Sequence, residues 1–199
     1  MKDKAIFLDR DGVINELIWR EGGYATSPYK LEELRYLPGV GEAVHSMREL
    51  GYKIFIVTNQ PGMYYGDMEL NDLVRINNAI KYALRIDEIY AAIFPFRNGN
   101  PENKWEDKFC QDYKPASGGI LKLIDKYDID PRQSFMVGDR WKDIVAGYNA
   151  RLITIYCNVC EYQCDSFIEE YKAIKPSFWK RNITEVAELI KTLQTPLGG

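Results

Sequence analysis

No apolar run in this chain approaches the roughly 20 residues that a membrane-spanning helix needs, so a bilayer is not among its expected partners. The opening Met1-Lys2-Asp3-Lys4 and the short apolar run after it are too brief, and then too acidic, for a secretory signal. Basic excess is also lacking: 26 Lys+Arg stand against 29 Asp+Glu, a net charge of −3. A face built for nucleic-acid phosphates usually shows as a surplus of Lys and Arg, so nucleic acid is not expected as the main partner. Four cysteines are too few to staple a chain of 199 residues. The single histidine, His45, sits beside the apolar face of a helical stretch and reads as a helix residue rather than a base. Internal repeats, low-complexity tracts and coiled-coil heptads are absent. These absences point to a monomer in the cytoplasm that works on small molecules.

What is present is an ordinary globular composition, 46% hydrophobic and 28% charged, with length enough for one domain and a sizeable core. Ala5-Ile6-Phe7-Leu8, Ile54-Phe55-Ile56-Val57 and Ser134-Phe135-Met136-Val137 are short apolar runs that stop abruptly at polar residues. Ile89 to Phe94 and Leu152 to Tyr156 are two further candidates. Continuous apolar runs of this length, bounded by polar turns, are what buried strands of a parallel sheet look like. Between them the period changes to that of amphipathic helices, over 40–50, 70–84, 117–127, 141–149 and 184–193, with Asn182 and Glu185 as a start signal for the last. Alternating strands and helices predict a three-layer α/β/α domain spanning 1–199, Rossmann-like, with a mainly parallel sheet. Two stretches fit neither period: 16–38, with Gly22-Gly23 and Pro28, reads as loop plus a short segment, and about 95–113 reads as a loop insertion.

In open parallel sheets ligands bind beyond the carboxyl ends of the strands, where this sequence places Asp9 and Asp11, Thr58 and Asn59, and Asp139. A carboxylate such as Asp9, facing a phosphate, can attack phosphorus and form an aspartyl-phosphate. The crowded negative charge calls for a hard cation with oxygen ligands, for which Mg²⁺ is the natural choice and Asp139 a second carboxylate. Asp11 can protonate the leaving oxygen and then deprotonate water. Thr58 and the amides after it can hold phosphate oxygens, and Lys114 offers a fixed cation. An isolated Asp-x-Asp more often caps a turn or a helix. The joint, ordered set is what carries meaning: strand-D-R-D-G, strand-T-N, K-P before a helix, and strand-G-D-x-x-x-D.

That set resembles the phosphatases of the haloacid dehalogenase superfamily over roughly residues 5–156. Phe7-Leu8-Asp9-Arg10-Asp11-Gly12-Val13-Ile14-Asn15 matches the first motif and Val57-Thr58-Asn59-Gln60 the second. Lys114-Pro115 matches the third and Val137-Gly138-Asp139-Arg140-Trp141-Lys142-Asp143 the fourth. With the preceding Leu37-Pro38-Gly39-Val40, the pattern is similar to the subgroup of D-glycero-D-manno-heptose 1,7-bisphosphate 7-phosphatases and histidinol phosphatases. The resemblance implies Asp9 as nucleophile and Mg²⁺ ligand, Asp11 as general acid/base, and a metal site of Asp9, Asp139 and Asp11 through its main-chain carbonyl. It further implies Thr58, Asn59, Gln60, Lys114 and Arg140 around the phosphate, with Asp143 supporting the loop or Lys114. A phosphorylated small metabolite is implied as substrate, a heptose bisphosphate first and histidinol phosphate next. A non-catalytic binding module of the same fold is the alternative, and the presence of all five key residues argues against it. The intervals from Asp11 to Thr58 and from Thr58 to Lys114 are filled by predicted elements, so no separate cap domain is expected.

The chain departs from the subgroup in one loop. Members there hold a structural zinc with a Cys-x-His and a Cys-x-Cys pair, whereas this chain has Phe94-Pro95-Phe96-Arg97 and Cys110-Gln111-Asp112. A closed zinc site needs four suitable ligands, so structural zinc is not expected, and Phe94, Phe96, Trp105 and Phe109 are candidates to pack in its place. Tyr113 stands where the subgroup has an arginine before the lysine. Cys157, Cys160 and Cys164 read as reduced thiols in a surface segment after the last strand.

Overall fold

The computed structural model describes residues 2–94, 110–157 and 173–194. Strand β1 (Ala5–Leu8) is followed by a small antiparallel hairpin of β2 (Ile18–Arg20) and β3 (Tyr24–Thr26), turned by Gly22 and Gly23 at positive φ. Then come α1 (Val40–Glu49), β4 (Lys53–Asn59), the single turn α2 (Gly62–Tyr65), α3 (Leu70–Leu84) and β5 (Glu88–Ala92). The second half adds α4 (Gly118–Lys126), β6 (Phe135–Gly138), α5 (Trp141–Asn149), β7 (Ile153–Cys157), β8 (Phe178–Lys180) and α6 (Ile183–Gln194). Asn182 Oδ1 accepts from the Glu185 amide at 2.9 Å, while the Glu185 carboxylate accepts from the Arg181 amide at 3.0 Å, which together start α6.

One six-stranded sheet runs β5-β4-β1-β6-β7-β8, with every neighbouring pair parallel. β1 shows why its sequence is a continuous apolar run. All four of its residues are wholly buried, Ile6 and Leu8 facing one layer and Ala5 and Phe7 the other. The first layer packs α1, α3 and α6 through Val44, Met47, Ile76, Ile80, Val186 and Ile190. The second packs α4 and α5 through Ile120, Leu123 and Ala146, with Phe7 on Phe55 at 5.2 Å between ring centroids. The expected α/β/α architecture is therefore the one observed.

Three strands were not read from sequence. The hairpin β2–β3 lies inside the stretch read as loop, and β8 adds an edge strand after β7. Strands of three residues carry too little alternation to show a period. Cys157 corrects the expectation for its segment: it is the last residue of β7, wholly buried, and burial pushes its thiol up to about 12. Cys160 and Cys164 lie outside the described residues, as do Phe96, Trp105 and Phe109. Phe94 meets Tyr64 edge-on at 6.3 Å.

Candidate active site

The chain order runs outward from β1 in both directions, through β4 to β5 and through β6 to β8. The carboxyl end of β1 is thus the switch point where an open parallel sheet leaves a crevice. Asp9 is the first residue past β1, and its amide donates to Val137 O on β6 at 2.9 Å. Asp139 is the first residue past β6, and Thr58 and Asn59 close β4. Three strand ends therefore bring these residues together because their strands are neighbours.

Asp9, Asp139 and Asp143 each place one carboxylate oxygen so that the three lie within 4.8 Å of one another, all buried. Burial favours the neutral acid and the neighbouring carboxylates repel, so the Asp9 pKa is raised, with Lys114 acting against the shift. Asp139 is raised well above the usual carboxylate range for the same reasons, burial first and then Asp9 and Asp143. Its Oδ1 is buried with no hydrogen-bond partner. Gly12, at φ 94°, makes this closeness possible: a Cβ there would run into the Asp139 carboxylate.

Lys114 sits among the acids with its side chain fully buried. Its ammonium meets Asp9 Oδ1 at 2.7 Å, Asp143 Oδ1 at 2.7 Å and the Val57 carbonyl at 2.6 Å. Burial alone would favour the free amine, but Asp143 and Asp9 outweigh it and raise the Lys114 pKa. Asp143 also accepts from the Arg140 amide at 3.0 Å, so one buried carboxylate ties Lys114 to the start of α5. Asn59 turns its side-chain amide onto the main chain of Lys114, donating to its carbonyl at 2.8 Å and accepting from its amide at 3.0 Å. The segment before Lys114 is anchored by Asp112, whose buried carboxylate accepts from Tyr90 of β5 and from Lys122 of α4.

The Asp11 side chain turns into a cage of donors. Arg10, wholly buried, gives it three contacts: Nε and Nη2 to Oδ1, each at 3.1 Å, and Nη2 to Oδ2 at 3.2 Å. Asn15 Nδ2 donates to Oδ1 at 2.9 Å, Ser27 Oγ to Oδ2 at 2.9 Å and Gln60 Nε2 to Oδ2 at 2.6 Å. Gln60 Nε2 also reaches Thr58 Oγ1 at 2.8 Å. Burial would raise the Asp11 pKa, but Arg10 and then Asn15, Ser27 and Gln60 outweigh it and hold the carboxyl below its ordinary value.

Above these groups opens a cleft of about 210 Å³ that contains Asp9 and Asp11. Its walls carry Ser27 and Tyr29 from the segment after β3, Tyr113 beside Lys114, and Arg140 and Lys142 from the start of α5. The hairpin wall is held by Arg20, which grips Glu33 through two bonds at 2.6 and 2.8 Å and lies 4.4 Å over the Tyr29 ring. Burial, with the Tyr65 phenol nearby, pushes the Tyr113 hydroxyl up to about 12, so it is a neutral donor.

The structure thus gathers Asp9, Asp11, Thr58, Asn59, Gln60, Lys114, Asp139, Arg140 and Asp143 at one end of the sheet. Within that group Asp9, Asp139 and Asp143 converge, while the Asp11 carboxylate faces Arg10, Asn15, Ser27 and Gln60. Sequence reasoning gave no role to Arg10, Ser27, Tyr29 or Lys142. Arg10 and Lys142 lie inside the recognised motifs, and their position there is the one signal that marks them.

A family model described as haloacid dehalogenase-like hydrolase matches residues 27–151. A D-glycero-alpha-D-manno-heptose-1,7-bisphosphate 7-phosphatase of Campylobacter jejuni is 32% identical over 180 residues, covering 88% of this chain and 94% of the relative. A D-glycero-beta-D-manno-heptose-1,7-bisphosphate 7-phosphatase of Pasteurella multocida is 30% identical over 200 residues, covering 96% and 99%. The crystal structure of D,D-heptose 1,7-bisphosphate phosphatase from B. bronchiseptica, complexed with magnesium and phosphate, superposes with a TM-score of 0.72 at 22% identity, covering 96% of this chain and 99% of that one. The chain belongs to the haloacid dehalogenase-like hydrolases, among relatives named as phosphatases.

Proposed function

We propose that this phosphatase is a Mg²⁺-dependent phosphomonoester hydrolase that works through an aspartyl-phosphate on Asp9, with a heptose bisphosphate as its substrate. The observation that carries the reading is the convergence of Asp9, Asp139 and Asp143 at the floor of a cleft, with Asp139 Oδ1 buried and unpartnered. Among these three buried carboxylates Asp139 Oδ1 has no hydrogen-bond partner, and a hard divalent cation with oxygen ligands would satisfy it. Asp9 and Asp139 would hold the ion. The donors around the Asp11 carboxylate leave the Asp11 main-chain carbonyl as the group that residue lends. Bound there, Mg²⁺ would supply positive charge to offset that of the phosphate oxygens facing Asp9.

The remaining chemistry belongs to the chain. Lys114 and the Arg10 amide occupy Asp9 Oδ1, at 2.7 and 2.8 Å, which leaves Oδ2 to attack phosphorus. The Asp9–phosphorus bond forms as the bond to the sugar oxygen breaks, and Asp11, which must first take up a proton from water as the substrate enters, gives that oxygen its proton. Asp11 then takes a proton from water, which attacks phosphorus and releases Asp9 and inorganic phosphate. Thr58 and Arg140 flank the phosphate, Gln60 and Ser27 orient Asp11, and Asn59 and Asp143 fix Lys114. The heptose assignment rests on the relatives' substrates. Tyr113, a neutral phenol, stands where the subgroup's arginine is expected, and so the sugar-facing contacts of this chain are its own.

Phosphate release from sugar phosphates, histidinol phosphate and nucleotides, with and without Mg²⁺ and with Asp9→Asn as the blank, tests the reading. Mg²⁺-dependent turnover of a heptose bisphosphate well above the others is the expected result. Turnover that ignores Mg²⁺ or survives in Asp9→Asn overturns it.

A further inference from the structure

The sequence motifs direct attention to Lys114 as the cation for phosphate, but a second lysine of the motifs also reaches the cleft. The Lys114 ammonium donates to Asp9 and to the Val57 carbonyl and forms an ion pair with Asp143 at 2.7 Å. Its side chain has no exposed surface and is not part of the cleft wall. Lys114 thus steadies Asp9 from beneath, and the cleft wall itself carries other cations.

Lys142 is placed the opposite way. It lies in the first turn of α5 and lines the cleft together with Asp9 and Arg140. Among the described residues no hydrogen bond or ion pair engages its ammonium. Burial, with Arg140 and Lys114 nearby, lowers its pKa, while Asp143 and Asp9 on the cleft floor act against that shift. A cation without a partner, open to a cleft whose floor is a nucleophilic carboxylate, is arranged to receive an anion from solution.

We propose that Lys142 is a further side-chain cation that binds the phosphoryl oxygens of the substrate directly. The proposal rests on the phosphatase reading of this cleft and adds a binding residue to it. The bound anion meets Lys142 and Arg140 on one wall of the cleft and the Asn59 side on another.

The test is calorimetric titration of the intact protein with inorganic phosphate in the presence of Mg²⁺. Loss of one charge-assisted hydrogen bond predicts that Lys142→Met binds phosphate about 10- to 100-fold more weakly. Lys142→Arg keeps the charge and is expected to stay within about threefold of wild type. Mg²⁺ titrated alone is expected to bind Lys142→Arg like wild type and Lys142→Met no more weakly, because the removed cation acts on Asp9 and Asp139 in opposition to the metal. Lys142→Gln serves as a second neutral variant should the methionine fail to fold. Phosphate binding by both neutral variants within twofold of wild type overturns the proposal, as does absence of phosphate binding by the wild type. If the wild type hydrolyses no phosphomonoester, the phosphatase reading falls, while the phosphate titration still decides the role of Lys142.

Discussion

Replacing Arg10 by methionine removes a wholly buried charge but leaves most of its volume filled. In the native protein Arg10 bonds Asp11 through Nε and Nη2 and Asn77 through Nη1, the last at 2.9 Å. Without it, the Asp11 carboxylate remains buried with Asn15, Ser27 and Gln60 as neutral donors. Removing one partner of a buried ion pair typically destabilises by about 3–5 kcal/mol, and the remaining donors place this case at the lower end, about 3 kcal/mol. For a chain of this size each kcal/mol shifts Tm by about 2–4 °C, so a drop of about 6–12 °C is expected by calorimetry at pH 7 in chelator, where metal binding cannot mask it. The pH dependence identifies the cause. With its native pKa lowered, Asp11 stabilises the wild type above the unfolded carboxylate value, and that stability is lost as pH falls through the lowered one. In the variant burial dominates and the native pKa lies above the unfolded value, so the penalty grows as pH rises past about 4. The gap between the two proteins therefore narrows on acidification. Adding Asp11→Asn to the variant removes the stranded charge and is expected to recover most of the loss. A Tm within about 2 °C of wild type at pH 7, or a gap that pH does not change, would refute the charge argument.

Further outcomes are open to measurement. Asp139→Asn relieves repulsion among the clustered carboxylates, so in chelator its Tm is expected at or above that of wild type, while stabilisation by added Mg²⁺ disappears; a variant still stabilised by Mg²⁺ would remove Asp139 from the metal site. Gly12→Ala forces a Cβ at φ 94° into the Asp139 carboxylate, and a loss of about 1–3 kcal/mol together with weaker Mg²⁺ binding is expected; denaturant unfolding and Mg²⁺ titration check both. Arg20 holds Glu33 down to about 2, so this pair stabilises above the unfolded Glu value and the benefit fades as pH falls toward the native one. The stability difference between wild type and Glu33→Gln, about 1 kcal/mol after solvent screening, is expected to be flat above about pH 5 and to shrink below about pH 4.5. Metal analysis of the purified protein is expected to find no stoichiometric zinc, and one zinc per chain would overturn the reading of the loop that ends in Cys110-Gln111-Asp112.

The sequence by itself determined the alternating architecture and the residues gathered at the end of the sheet. A parallel strand buried on both faces must be a continuous apolar run, and the chain leaves it at the carboxyl end, where Asp9, Thr58 and Asp139 stand. Neighbouring strands then bring those residues together wherever else the chain travels. What each side chain faces was decided by tertiary structure alone. Asn77, which holds Arg10, is 67 positions away, and the Lys114 main chain that engages Asn59 is 55 positions away. No local period encodes such distances. The hairpin β2–β3 that supplies Ala25 and Thr26 to the cleft, and the edge strand β8, are too short to leave a periodic trace. The two lysines were separated by burial: one motif lysine is enclosed by three acceptors and the other is left open to the cleft, a difference set by the packing of β4 and α5 around them.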